Sequence, residues 1–113
     1  MSAKPDDRER LVHILEAIGW ISKFTQDMDF ETFAENEMAQ FAIIKNFEII
    51  GEAAYHLSVD IKDENPEVEW RKIIAFRHIR VHDYYQINLQ IVWNAREGKL
   101  QILRKQIEHI LDK

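Results

Sequence analysis

Between Arg77 and Tyr84 the chain reads Arg77-His78-Ile79-Arg80-Val81-His82-Asp83-Tyr84, which puts two arginines, two histidines and a tyrosine in eight residues. These groups bind and cleave phosphodiesters. A histidine side chain ionises near neutral pH and can take a proton from a ribose 2′-hydroxyl. An arginine fork matches the negative charge that gathers on the equatorial oxygens of a phosphorane. A tyrosine such as Tyr84 can orient a phosphate or stack on a base. Without a metal or other cofactor, such a set supports phosphodiester transfer in RNA, leaving 2′,3′-cyclic phosphate and 5′-hydroxyl ends. DNA lacks the attacking hydroxyl. Residues 70–85 hold four Arg/Lys against one Asp, a formal +3, in a chain whose net charge is −5. That local reversal marks a candidate anion site, with His78, Arg80, Arg71 and Lys72 as candidate phosphate contacts. A solvated basic helix face is the plainer reading, but such a face has no need of two histidines and a tyrosine.

The elements that must hold these groups set a geometric problem. On one regular helix Arg77, Arg80 and Tyr84 share a face, and His78 and His82 share another. Arg77 and His82, five residues apart, then point about 140° away from each other. Either the helix ends before His82, or two copies of the segment face each other across a two-fold axis. In both cases the Tyr84 hydroxyl is expected to be reachable from solvent.

Around this segment the sequence reads as helix after helix. Pro5 suits a first helical turn, and Leu11, Ile14, Leu15, Ile18 and Ile21 form one face of a helix ending near Thr25–Asp27. Asp29 is placed to cap a short helix through Phe30 and Phe33, and Asn36 marks the junction with a longer one. Ile43, Phe47, Ile50, Ala54 and Leu57 form a heptad-like core stripe. Gly51 costs about 1 kcal/mol of helix propensity, so a close approach by a neighbour is expected there. Asp63-Glu64-Asn65-Pro66 reads as a loop in which Asn65 caps a helix that begins at Pro66. That helix carries Trp70, Ile73, Ile74 and Phe76 inward and runs into the Arg77–Tyr84 segment. Asn88 caps a further helix, Gly98 breaks it, and Leu100, Leu103, Ile107, Ile110 and Leu111 stripe the last one. The expected fold is all-α, an up-and-down bundle of five to six helices in a single domain, 1–113.

Composition narrows the function. With no cysteine, disulfides, zinc knuckles and thiol catalysis drop out. No apolar run approaches the ~20 residues of a membrane span, and the first residues lack the apolar core of a signal peptide. A soluble, cytoplasmic protein is expected. His78 and His82 lack the Glu of a His-Glu-x-x-His pattern, and flanking arginines repel a cation, so no metal is expected. His13, His56 and His109 read as surface or packing residues, and Trp70, Trp93 and the phenylalanines as core. Tyr85 reads equally as packed or as a base-stacking residue.

Arg77, four residues, His82, one residue and Tyr84 spell Arg-x4-His-x-Tyr, and this pattern resembles the motif of HepT-like toxins in the HEPN superfamily. His78 suits the polar position after the arginine. Glu48-Ile49-Ile50-Gly51-Glu52-Ala53-Ala54 resembles the family's central helix, and Asn65 through Ile74 resembles the approach to its motif. The resemblance implies a metal-independent endoribonuclease that acts as a homodimer, with Arg77 and His82 as the catalytic pair. It also implies a partner, an MNT-type nucleotidyltransferase antitoxin that transfers AMP to the motif tyrosine, here Tyr84. Added charge and bulk two residues from His82 would repel RNA. The rival reading is a non-catalytic, nucleotide-binding accessory subunit of a minimal nucleotidyltransferase, in which Arg77, Arg80 and the histidines bind and nothing is cut.

Overall fold

In the computed structural model, which describes residues 4–113, Pro5 opens helix α1 (Pro5–Phe24) with Asp6 and Asp7 in its first turn, where negative charge suits the helix dipole. Leu11, Ile14, Ile18 and Ile21 are fully buried along one face. Asp7 is buried as well, and its carboxylate accepts from the Ser58 backbone N–H (2.8 Å) and hydroxyl (2.6 Å). One side chain thereby fastens the start of α1 to the chain leaving α3.

Helix α2 (Phe30–Ala34) is capped by Asp29, which accepts from Thr32 N–H, and α3 (Glu37–Tyr55) is capped by Asn36, which accepts from Ala39 N–H. Both caps supply the acceptors that first-turn amides lack. The stripe Ile43, Phe47, Ile50 and Ala54 is buried throughout. Leu57 is buried too, but two residues beyond the end of the helix.

The Asp63–Pro66 reading needs correction. Asp63 and Glu64 belong to a helix, α4 (Val59–Glu64), and Asn65 closes it rather than starting the next one. Ser58 starts α4: its hydroxyl accepts from Ile61 N–H while donating to Asp7. Asn65 is buried with its side chain and carbonyl engaged. Its amide donates to the Ile61 carbonyl, its own carbonyl accepts from the Trp70 indole (2.9 Å), and its side-chain oxygen accepts from Lys113. Helix α5 (Trp70–Ile74) therefore begins four residues after Pro66.

Asn88 caps α6 (Leu89–Glu97), Gly98 breaks the chain, and α7 (Lys99–Leu111) completes it. Arg96 donates to the Thr25 hydroxyl (2.8 Å) and carbonyl, closing the far end of α1. The guanidinium of Arg8 donates to the Leu111 carbonyl, so the first turn of α1 lies beside the last turn of α7. The result is the expected all-α bundle, with no strand among the described residues. No described helix is long and apolar enough to cross a membrane. Trp70, Trp93, Phe33, Phe47 and Phe76 are core, as expected. Phe24 and Phe41 are not: Phe24 stacks on Trp20 at the surface, and Phe41 carries a motif side chain.

Candidate functional site

The helix that enters the motif does not cross it. Helix α5 tightens into a 3-10 turn over Ala75–His78, the backbone is extended at Ile79 and Arg80, and a second 3-10 segment covers Val81–Gln86. Of the two sequence alternatives, the helix ends before His82. The shared faces expected for Arg77, Arg80 and Tyr84, and for His78 and His82, accordingly do not exist.

Helix α3 explains the break. Phe76 packs edge-on against Phe47 at 5.0 Å. At Gly51 the motif backbone touches the helix: a Cβ there would lie 2.7 Å from the Phe76 carbonyl carbon and 2.8 Å from the Arg77 Cα, and closer still to the Arg77 nitrogen. Arg77 reaches Glu52, to whose carboxylate its Nε donates at 3.1 Å, and its guanidinium lies 3.7 Å over the Tyr55 ring. Tyr84 engages the other end of α3, donating to Gln40 and packing on Phe41 at 4.5 Å. Gln40 and Glu52 are separated by roughly 18 Å of helix axis, whereas the seven steps from Arg77 to Tyr84 would rise only about 10 Å as an α-helix. Meeting both anchor points favours a longer path, and 3-10 turns with an extended link supply one.

Each candidate residue then has a distinct setting. Arg77 is half-buried; burial acts to lower its pKa, but Glu52 and Tyr55 outweigh that and raise it, so the guanidinium stays charged. His82 and His78 are exposed and have no hydrogen-bond or ion-pair partner among the described residues. Arg80 pairs with Asp83 at 3.5 Å. Lys72 pairs with Glu69 at 2.9 Å, which holds the Glu69 carboxyl below the usual range and raises Lys72, and Arg71 is exposed. The residue Tyr84 is half-buried, and its hydroxyl donates to Gln40, which is 1 % exposed. Tyr85 is 87 % exposed. His13, His56 and His109 are exposed, with His56 3.6 Å from Glu52. Among the described residues no three acidic or histidine side chains are grouped to hold a metal ion.

Gln40, Phe41, Glu52 and Tyr55 escaped the sequence reading as individual site residues. A signal existed: Gln40 and Gly51 are eleven residues apart, three turns with about 20° of drift. A glutamine in register with a packing glycine marks a second stripe, rotated from that of Ile43, Phe47, Ile50 and Ala54.

Residues 14–110 match the family described as ribonuclease HepT-like. The chain belongs to that family. A protein of Thermococcus cleftensis named as a candidate ribonuclease HepT is 34% identical over 109 residues, covering 90% of this chain and 99% of its own. Two proteins of Methanocaldococcus jannaschii named as candidate RNases are 31% and 36% identical, over 94% and 96% of this chain and 97% and 89% of theirs. No solved structure is a significant match. The HepT-like chain is thus an enzyme of the ribonuclease class, and the Arg-x4-His-x-Tyr pattern lies inside the matched span.

Proposed function

We propose that this chain is the toxin of a toxin–antitoxin module, a cytoplasmic, single-domain endoribonuclease that cuts single-stranded RNA without a metal. The observation that carries the reading is the division of labour across the break at Ile79–Arg80. On one side Arg77 is fixed and charged between Glu52 and Tyr55; on the other, the His82 ring is exposed and, among the described residues, unengaged. His82 takes the proton of the 2′-hydroxyl, and the 2′-oxygen displaces the 5′-oxygen at phosphorus. Arg77 neutralises the charge of the phosphorane. The leaving oxygen regains a proton, so a cyclic phosphate and a 5′-hydroxyl form and nothing is consumed. His78, Arg80, Arg71 and Lys72 guide the flanking phosphates.

The active species is a homodimer with both motifs on one cleft. Supporting this, Val81 and Tyr85 on the motif segment and Met38 in the first turn of α3 are exposed apolar or aromatic side chains, Met38 at 83 %, of the kind a two-fold contact covers. An MNT-type nucleotidyltransferase antitoxin silences the enzyme by transferring AMP to Tyr84. The deciding experiment incubates purified, unmodified protein with single-stranded RNA in EDTA. The expected products carry cyclic phosphate ends, with loss of cleavage in Arg77→Ala and His82→Ala. Cleavage that disappears in EDTA, or survives the His82 change, overturns the mechanism. Nucleotide binding with no cleavage at all would instead establish the accessory-subunit role.

A further inference from the structure

Segment 79–87 carries His82, yet no residue of its 3-10 turn is buried. Its ends are pinned by Ile79 and Ile87, which pack against the core, and its Arg80–Asp83 pair is internal. Among the described residues, one side-chain hydrogen bond leaves the segment, from the Tyr84 hydroxyl to Gln40 Oε1. Gln40 has little freedom to respond. Its Nε2 donates to the Phe33 carbonyl at 2.8 Å, so turning the amide over would set oxygen against oxygen. The oxygen end must face Tyr84, and the hydroxyl must donate to it. The tyrosine ring is backed by Phe41, 4.5 Å away.

We infer that Gln40 is a positioning residue of the ribonuclease, which sets the place of His82 by holding Tyr84 two residues further on. This rests on the reading of His82 as the proton acceptor. The chain of contact runs from the Phe33 carbonyl through the Gln40 amide to the Tyr84 hydroxyl, and from there along the backbone to His82. Removing the hydroxyl leaves a buried acceptor without a partner, a loss that favours rearrangement of the segment. Adenylylation has the same effect with more force, because a tyrosyl ester has no O–H to donate. Modification therefore releases the histidine segment as well as filling the cleft.

The test is a cycle of Gln40→Leu, Tyr84→Phe and the double variant in the intact protein, assayed on single-stranded RNA in EDTA. If Gln40 acts through Tyr84, each single variant lowers kcat on the order of tenfold, as a small misplacement of a reacting group does. KM should be unchanged, and the double variant should be no slower than either single one. The His82 ring resonances, followed by NMR, should move in both single variants while those of the remote His109 stay in place. Tyr84→Phe keeps the ring on Phe41, so it reports even if Gln40→Leu fails to fold. Wild-type kcat in Tyr84→Phe, additive losses, or unmoved His82 resonances overturn the proposal. Coupled resonances in a protein that does not cut RNA would support the positioning and overturn the catalytic reading.

Discussion

At the motif, Arg77 is held over the Tyr55 ring and bonded to Glu52 before substrate arrives, so little ordering remains for it when a phosphate binds. A planar fork is needed for that double contact, and an ammonium cannot reproduce it. We therefore expect Arg77→Lys to behave nearly like Arg77→Ala, each losing on the order of 10²-fold in kcat/KM, with the helical circular-dichroism signal intact. His82→Ala should lose about as much, also without unfolding, because its ring supports no described contact. Tyr84 is the opposite case. Its hydroxyl is committed to Gln40, so AMP transfer must first pull it free. Co-expression with the nucleotidyltransferase should add AMP mass to the wild type and add it faster to Gln40→Leu. Tyr84→Phe should gain none while still cleaving slowly; an equal mass gain in that variant moves the modified site elsewhere.

Helix α3 is the element on which the candidate site is built, and it meets its surroundings on two neighbouring stripes. Ile43, Phe47, Ile50 and Ala54 lie in the core, whereas Gln40, Gly51 and Tyr55 meet the motif. Gly51→Ala sets two effects against each other. Helix propensity gains about 1 kcal/mol, but the added methyl meets the backbone of Phe76 and Arg77, which cannot rotate away. Overpacking of this kind costs about 1–3 kcal/mol, so net destabilisation is expected, together with a fall in cleavage as Arg77 is displaced. A raised Tm at full activity would show that the contact is loose. The caps offer a pH test. Asp29 is held below its ordinary 3.8, chiefly by the Thr32 backbone hydrogen bond. A depressed carboxylate stabilises the fold above its unfolded value, and that contribution disappears as pH falls below 3.8 through the folded value. The fall in Tm below that pH should be shallower in Asp29→Ala than in the wild type.

For the molecule as a whole, both motif histidines and Met38, Val81 and Tyr85 are exposed, and the proposed two-fold contact would cover them. Sedimentation should show a dimer at micromolar concentration, and Tyr85→Glu should weaken it and lower cleavage together; a monomer with full activity would refute the shared cleft. Much of this was legible in the chain itself. Helical periodicity, scarce breakers, and the caps at Asp29, Asn36 and Asn88 are local properties, and they determined the all-α class and most element starts. The motif residue types and their spacing pointed to the ribonuclease family, because spacing along the chain survives any fold. Tertiary contact decided the rest. Asn65-Pro66 reads locally as a helix start, yet the asparagine closes α4, bonding back to Ile61 and on to Trp70, with the distant Lys113 holding its side-chain oxygen. The helix that carries Trp70 runs into the motif, and local pattern leaves open where it ends, whereas contact with α3 at both Gly51 and Gln40 favours a path longer than a helix provides. Local propensity is worth tenths of a kcal/mol per residue, while a buried polar group left without its partner costs about 1–3 kcal/mol, so where the two compete the distant partner prevails.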